Sequence, residues 1–318
     1  MTPFDPAHSE EDVHLAPSLK IMGTPGPFTE WGITLVRGIL AASGHTAAFE
    51  PLAMAAPAWL LTDPAREQSG AGGERAVLFL SPVQNSVDQL IRLHADAIAA
   101  TRDLTAALAA LIAARNDETL IIEARPEMEL AAIHRAVAAH ILGATAETAP
   151  AAEAMPAPPT EIVALQGQAQ LLSRQVLAPM LAMLAGDRAA RIIWPLSCFY
   201  SGDAPGEMAS AIIETAGPAR ILLYGPYFCL PPGRWQADFQ IFFSNDLPDA
   251  PFAAEILAGA QATRVEFRPS RGGLFQGTMQ ITIEQASDPV EFRLWLLRSA
   301  FFGQVGLRQV TWRPLDAA

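Results

Sequence analysis

A chain of 318 residues that is 51% hydrophobic and 17% charged has room for two domains with apolar cores and is too apolar to be disordered. Its formal charge of −12 argues against binding nucleic acid or anionic lipid through bulk electrostatics, since both uses want a basic field. No run of about 18 uncharged apolar residues suggests a membrane span, and the polar, acidic opening from Met1 to Leu19 lacks the apolar core of a secretory signal.

Synthesis in the cytoplasm is therefore the default expectation, with leaderless export as the route to a particle or cell surface. Cys198 and Cys229 are too few for a disulfide framework and lack metal-site spacing; their strand-like context beside Phe199 and Phe228 reads as burial. Lys20 is the sole lysine among 21 basic residues and precedes the glycines, which excludes a Walker lysine. The six histidines, His8, His14, His45, His94, His134 and His140, offer no pair at ligand spacing on one helical face, so neither metal nor cofactor is expected.

In chain order, Leu19 to Gly23 reads as a strand entering the loop Thr24-Pro25-Gly26-Pro27, and a helix follows through Trp31, Leu35, Ile39 and Leu40. Pro51 to Gly73 reads as a short apolar piece mixed with loop. Arg75 to Leu80 is a continuous apolar strand, closed by Ser81-Pro82 before helical stretches from Ser86 and over Thr101–Ala114. Thr119 to Glu123 predicts another strand, and Glu127 to Leu142 a helix stopped by Gly143. Strands alternating with helices predict a doubly wound parallel sheet over 19–143.

Residues 144–160 change to Ala, Pro, Glu and Thr without periodicity and read as a linker, followed by a connecting helix over 161–186. From Arg191 the code becomes that of an all-β module, with strands expected at 191–194, 219–224, 234–243, 264–269, 277–284, 292–297 and 305–312. Trp235, Ala237, Phe239 and Ile241 alternate with polar neighbours, as a sheet with one wet face requires. The fold expected is an α/β parallel-sheet domain followed by an all-β sandwich over 191–314.

The order of units over 19–143 resembles the sulfotransferase family: the loop at Lys20–Thr29, Trp31 opening the helix, Val77–Leu80 followed by Ser81 to Asp88, and Leu120–Glu123 followed by an amphipathic helix. The resemblance implies that Gly23, Thr24, Pro25, Gly26 and Thr29 form an anion loop for a phosphosulfate donor. The loop departs from the family pattern where catalysis needs it. Gly26 stands in place of the cation, Pro27 removes an amide, Phe28 replaces the glycine, and Glu30 adds negative charge. Ser81 and Asp88 or Gln89 fall where the family has its nucleotide contacts. A vestigial loop and no catalysis is the reading; an active transferase using Arg37 or Arg75 is the alternative.

The stretch Arg220-Ile221-Leu222-Leu223-Tyr224-Gly225-Pro226-Tyr227 through Leu230-Pro231-Pro232-Gly233-Arg234-Trp235 resembles carbohydrate-binding-like sandwiches of bacterial polysaccharide-biosynthesis glycosyltransferases, over about 191–313. Aromatic faces stack on sugar rings while carboxylates and guanidinium groups take hydroxyls, so Asp203, Tyr224, Tyr227, Arg234 and Trp235 are the glycan-binding candidates. The phase of Trp235 with Phe239 and Ile241 also fits burial. Arg268, Arg271, Arg293 and Arg298 fit either an acidic polysaccharide or a solvated strand face. The partner expected is a glycan, with no nucleic acid; a structural attachment subunit, oligomeric through the connecting helix, is the third alternative.

Overall fold

The computed structural model describes residues 19–44, 48–51, 58–62, 75–143, 156–247 and 249–315. The opening segment before Leu19, most of the stretch from Pro51 to Gly73, linker residues 144–155, and His8, His14 and His45 lie outside the described residues.

The first half holds β1 (Leu19–Gly23), α1 (Pro27–Ala42), β2 (Ala48–Pro51), β3 (Ala58–Thr62), β4 (Arg75–Leu80), α2 (Val83–His94), α3 (Ala97–Ala114), β5 (Thr119–Glu123) and α4 (Leu130–Leu142). The sheet order is β2-β3-β1-β4-β5. Only β1, β4 and β5 run parallel; β2 and β3 form an antiparallel hairpin against β1, which replaces part of the doubly wound sheet expected. Pro27, which has no amide to leave unpaired, opens α1. Asp96 caps α3 by accepting from the Ile98 and Ala99 amides. Helices α1 and α4 cover one face, where Phe28, Trp31 and Val137 pack in one cluster with Phe79 of β4. Helices α2 and α3 cover the other.

Next come α5 (Gly167–Leu172), a π turn (Ser173–Leu177) and α6 (Ala178–Leu184), so the connecting helix starts six residues later than the periodicity suggests. The sandwich follows with β6 (Ile192–Pro195), β7 (Tyr200–Ser201), β8 (Ile213–Glu214), β9 (Arg220–Cys229), β10 (Gly233–Phe243), β11 (Phe252–Ala258), β12 (Gln261–Phe267), β13 (Gly273–Ile283), β14 (Pro289–Leu296) and β15 (Gln304–Pro314). One antiparallel sheet has the order β13-β10-β15-β6, with β8 also on β15; the other has the order β12-β11-β14-β9-β7. Inward rings such as Phe239 and Phe292 (centroids 5.4 Å apart) and Trp194 and Trp312 (4.7 Å) fill the space between them. Strand β11 escapes the sequence reading because Ala253 and Ala254 blur its alternation of Phe252, Ile256 and Ala258.

The halves are joined by packing as well as by chain. One continuous apolar cluster runs from Leu78 of β4 through Leu104 and Leu108 of α3 and Leu172 of α5 to Trp194, Phe228 and Phe292 of the sandwich. Helix α3 is long and apolar enough, by length and composition, to cross a membrane, and in this fold half of it is buried. It covers the edge of β9. The Cys229 amide donates to Thr105 Oγ1 (3.1 Å) and Arg102 Nη2 donates to the Pro226 carbonyl (3.2 Å), so backbone groups that an edge strand would leave open are satisfied by helix side chains.

Candidate functional site

Two places deserve comparison as binding sites: the carboxyl edge of the parallel sheet and the outer face of the β12-β11-β14-β9-β7 sheet. The first is the generic ligand position of an open α/β sheet, where connections from neighbouring strands leave toward opposite faces. Here these are β1, leading to α1, and β4, leading to α2. Thr24 Oγ1 accepts from the Ser81 amide (2.9 Å), and the Thr29 hydroxyl is shared between the carbonyls of Thr24 (2.6 Å) and Phe79 (2.9 Å). Gly26, at φ 150°, lies so close to Ser81 that a Cβ would stand 2.4 Å from Ser81 Oγ. Thr24, Thr29, Ser81 and Ser86 are all buried.

A proline-rich strap crosses the same edge. Trp31 Nε1 donates to the Pro156 carbonyl (2.9 Å), Asn85 Nδ2 donates to the Glu161 carbonyl (2.6 Å), and Asn85 Oδ1 accepts from the Val163 amide (2.9 Å). The loop residues Gly23, Thr24, Pro25, Gly26 and Thr29 are thus brought together, with the Thr24 and Thr29 hydroxyls bonded to nearby backbone groups and the adjacent Ser81 and Ser86 hydroxyls buried without a hydrogen-bond partner among the described residues. Neither substitute cation reaches them. Arg75 begins β4, about 16 Å of strand away, and donates to the His140 carbonyl (2.9 Å). Arg37 sits ten residues into α1, about 15 Å along the helix. Asp88 pairs with Arg92 one helical turn on (2.8 Å).

On the second site, strand register sets a row across the whole sheet: Tyr200, Tyr224, Arg293, Glu255 and Arg264 stand opposite one another on β7, β9, β14, β11 and β12. At about 4.8 Å per strand the row is about 19 Å long. The sequence puts them there because alternate residues of β14, Val290, Phe292, Leu294 and Leu296, enter the core, so Glu291, Arg293 and Trp295 face outward.

The charges on this face hold one another in place. Arg293 lies 2.7 Å from Glu291 Oε2 and 3.6 Å from Glu255 Oε2, and Arg264 lies 3.7 Å from Glu255 Oε1. Trp295 Nε1 donates to Glu255 Oε2 (3.0 Å), with the Arg264 guanidinium 5.7 Å from its ring centroid. The bond to Glu291 raises the Arg293 pKa. Beside these ions Tyr200 and Tyr224 stack at 5.7 Å, and Tyr227 meets Tyr224 edge-on at 6.3 Å. Tyr200, Tyr224 and Trp295 are half-buried, so each presents part of a ring to solvent.

Tyr227 occupies the left-handed region at φ 68°, a conformation that costs a non-glycine residue about 1–3 kcal/mol and persists only where its surroundings over-determine it. Its hydroxyl donates to Glu291 Oε1 (3.0 Å), and the Arg102 guanidinium lies 5.4 Å from the ring centroid. Burial, then the bond and negative charge of Glu291, push its pKa up to about 12.

Of the five glycan candidates, Tyr224 lies in this row and Tyr227 packs beside it. The other three do not. Asp203 is held by Arg220, with Nε 2.5 Å from Oδ1 and Nη2 3.2 Å from Oδ2, which ties it to the start of β9. Trp235 is 2% exposed and donates from Nε1 to the Pro231 carbonyl (2.8 Å), so it cannot offer a ring face; the phase with Phe239 and Ile241 prevailed. Arg234 is exposed at the far end of α3 from the tyrosines.

Among the other arginines, Arg293 joins the row and Arg268 approaches Asp249 at 3.7 Å. The residues of this face not singled out beforehand are the row members Tyr200, Glu255 and Arg264 and, on either side of Arg293 along β14, Glu291 and Trp295. The outward series Glu291, Arg293, Trp295 was visible as alternation, whereas Tyr200 and Glu255 needed the register. Cys198 and Cys229 are buried, and burial raises both thiol pKa values, that of Cys229 to about 11. Among the described residues no three His, Cys, Asp or Glu side chains gather as a metal site.

No protein-family model matches the chain. No curated protein matches it either. Among solved structures, the CBM36-1 domain of a multidomain xylanase from the hindgut metagenome of Trinervitermes trinervoides is similar over 40% of this chain and 99% of its own, at 10% identity and a TM-score of 0.28. The CBM22-1 xylan-binding domain of Xyn10C from Paenibacillus barcinonensis covers 40% and 95%, at 9% identity and 0.27. TmCBM61, solved with β-1,4-galactotriose, covers 41% and 92%, at 9% identity and 0.25. All three are carbohydrate-binding modules. What the present face binds follows from its own side chains.

Proposed function

We propose that the sandwich is a glycan-binding module, and that the chain acts by binding a polysaccharide or oligosaccharide rather than by transforming it. The row Tyr200–Tyr224–Arg293–Glu255–Arg264 is the observation that carries this reading. Partly exposed rings supply the flat apolar surface that the C–H faces of a pyranose need, and guanidinium and carboxylate groups fixed by their neighbours supply hydroxyl donors and acceptors without a fresh ordering cost. The five-strand width suits an extended chain of several sugar units better than a single one.

In the same reading, the N-terminal half is a sulfotransferase-like layout whose loop has lost its donor. Support comes from the closure of that loop on Ser81, from the strap over it, and from the distance of Arg37 and Arg75. Titration with a phosphosulfate-donor analogue by calorimetry is expected to give no heat of binding; saturable binding abolished by a Gly26 substitution would revive the transferase alternative.

A glycan array probed with the intact chain tests the main reading. Tyr224→Ala and Trp295→Ala are each expected to weaken the best hit about tenfold, equivalent to about 1.4 kcal/mol, while circular dichroism shows the fold retained. Absence of any glycan hit, or hits indifferent to both substitutions, would overturn it.

A further inference from the structure

One guanidinium beside the tyrosines comes from the other half of the molecule. Arg102 and Thr105 stand at positions i and i+3 of α3, so both project from one face of the helix. That face is set against β9. Leu104 and Leu108, both fully buried, hold α3 in the cluster that the two halves share, and Thr105 Oγ1 accepts from the Cys229 amide (3.1 Å). Further back along β9, Arg102 Nη2 donates to the Pro226 carbonyl (3.2 Å) and to the Tyr200 hydroxyl (3.3 Å), and the guanidinium carbon lies 5.4 Å from the Tyr227 ring centroid.

Tyr200 and Tyr227 are the two ends of the aromatic series, each packed on Tyr224, at 5.7 Å and 6.3 Å between centroids. The same guanidinium therefore engages both flanks of the central ring. Through Tyr227 its hold extends to the ionic part of the face, because the Tyr227 hydroxyl donates to Glu291 Oε1 (3.0 Å) and Glu291 Oε2 takes Arg293 (2.7 Å). Each hydrogen bond and ring contact described for the guanidinium goes to this aromatic group. Arg102 Nε is buried without a hydrogen-bond partner among the described residues. An unpaired buried donor works against the fold, so the side chain serves the tyrosines while one of its own donors stays unsatisfied.

We propose that Arg102 is a positioning residue for the glycan face: without touching the sugar, it fixes Tyr200 and Tyr227 on either side of Tyr224, so that the sandwich binds at full strength only with α3 docked on it. This rests on the glycan reading above and adds that the N-terminal half supplies part of the site. Rings already ordered before the sugar arrives spare the complex the entropy of ordering them. Arginine suits the task because its planar group donates to two oxygens while its charge lies over the Tyr227 ring; lysine would keep the charge and lose the fork.

Tyr200, Tyr224 and Tyr227 are the three tyrosines of the chain, so NMR of the intact, tyrosine-labelled protein reads this cluster alone, with or without ligand. Arg102→Ala is expected to shift all three ring signals and to weaken the best glycan-array hit about fivefold, and Arg102→Lys to weaken it about twofold. Tyr200→Phe keeps the ring and removes an acceptor of Arg102, so adding it to Arg102→Ala should cost no further affinity. Leu108→Ala, about 9 Å further along α3, controls for lost stability: well below its thermal transition it should keep the wild-type tyrosine signals and affinity. Wild-type affinity in Arg102→Ala, an equal loss in Leu108→Ala, or additive losses in the double variant would each overturn the positioning role and leave the glycan reading intact. A wild-type chain that binds no glycan would overturn both.

Discussion

The carboxyl edge of the parallel sheet and the outer face of the β12-β11-β14-β9-β7 sheet use polar groups in opposite ways. At the first, the Thr24 hydroxyl accepts from the Ser81 amide, the Thr29 hydroxyl lies between the Thr24 and Phe79 carbonyls, the Ser81 and Ser86 hydroxyls are buried with no hydrogen-bond partner among the described residues, Gly26 closes against Ser81, and the strap from Pro156 to Val163 is bonded to Trp31 and Asn85 at the same edge. At the second, Arg293, Glu255, Glu291 and Trp295 also bond one another, yet the sheet holds them at the surface beside partly exposed rings. The position of a loop within an α/β fold gives it an opportunity to bind, and the direction of its side chains decides whether the opportunity survives.

The strongest way to break this comparison is to treat the regions as independent bodies. Leu108 of α3 is fully buried within the cluster that both halves share, so Leu108→Ala is expected to cost about 2–5 kcal/mol and to lower a single thermal transition seen by all probes. Two separate transitions, with only the first displaced, would show that the halves do not share their stability. Gly26→Ala adds a Cβ against Ser81 Oγ at a positive φ. A loss of about 1–3 kcal/mol in urea denaturation is expected, and a neutral result would mean that the loop is looser than its contacts imply.

Smaller effects sharpen the picture. Asn85→Ala removes both bonds that hold Glu161 and Val163, and about 1 kcal/mol of stability with faster amide exchange over 156–163 should follow. Unchanged exchange would remove Asn85 as the strap's anchor. The smallest effect concerns pH. The Tyr227 pKa is raised from 10 to about 12, so its contribution is complete below pH 10 and is lost as pH climbs through about 12. Tyr227→Phe should flatten that alkaline decline, and the difference in phenolate absorbance between wild type and variant isolates this hydroxyl among the chain's three tyrosines. An alkaline decline identical in wild type and variant would show that this hydroxyl is not the cause.

Several elements were legible because local patterns match local forces. The run Ala76–Leu80 could only be a strand covered on both faces, and it lies between α1 on one side and α2 and α3 on the other. Trp235 shows how periodicity outweighs residue type: its place among Ala237, Phe239 and Ile241 directed it inward, where the Pro231 carbonyl satisfies its indole. Tyr224 and Tyr227 were recognisable as a pair, although the Arg102 group over the Tyr227 ring comes from more than 100 residues away in the chain and the Glu291 partner of its hydroxyl from 64.

By itself the sequence determined the alternation of helices and strands in the first half, the β-rich second half and the burial of both cysteines, because each follows from periodicity, burial or residue chemistry within a short window. The tertiary structure decided which side chains share a face. Register across β7, β9, β14, β11 and β12 aligned residues drawn from positions 200 to 293, α3 closed the β9 edge, and the strap was tied by its backbone to Trp31 and Asn85. Each of these depends on pairing between distant segments, where the energy lies in contacts that no local window contains.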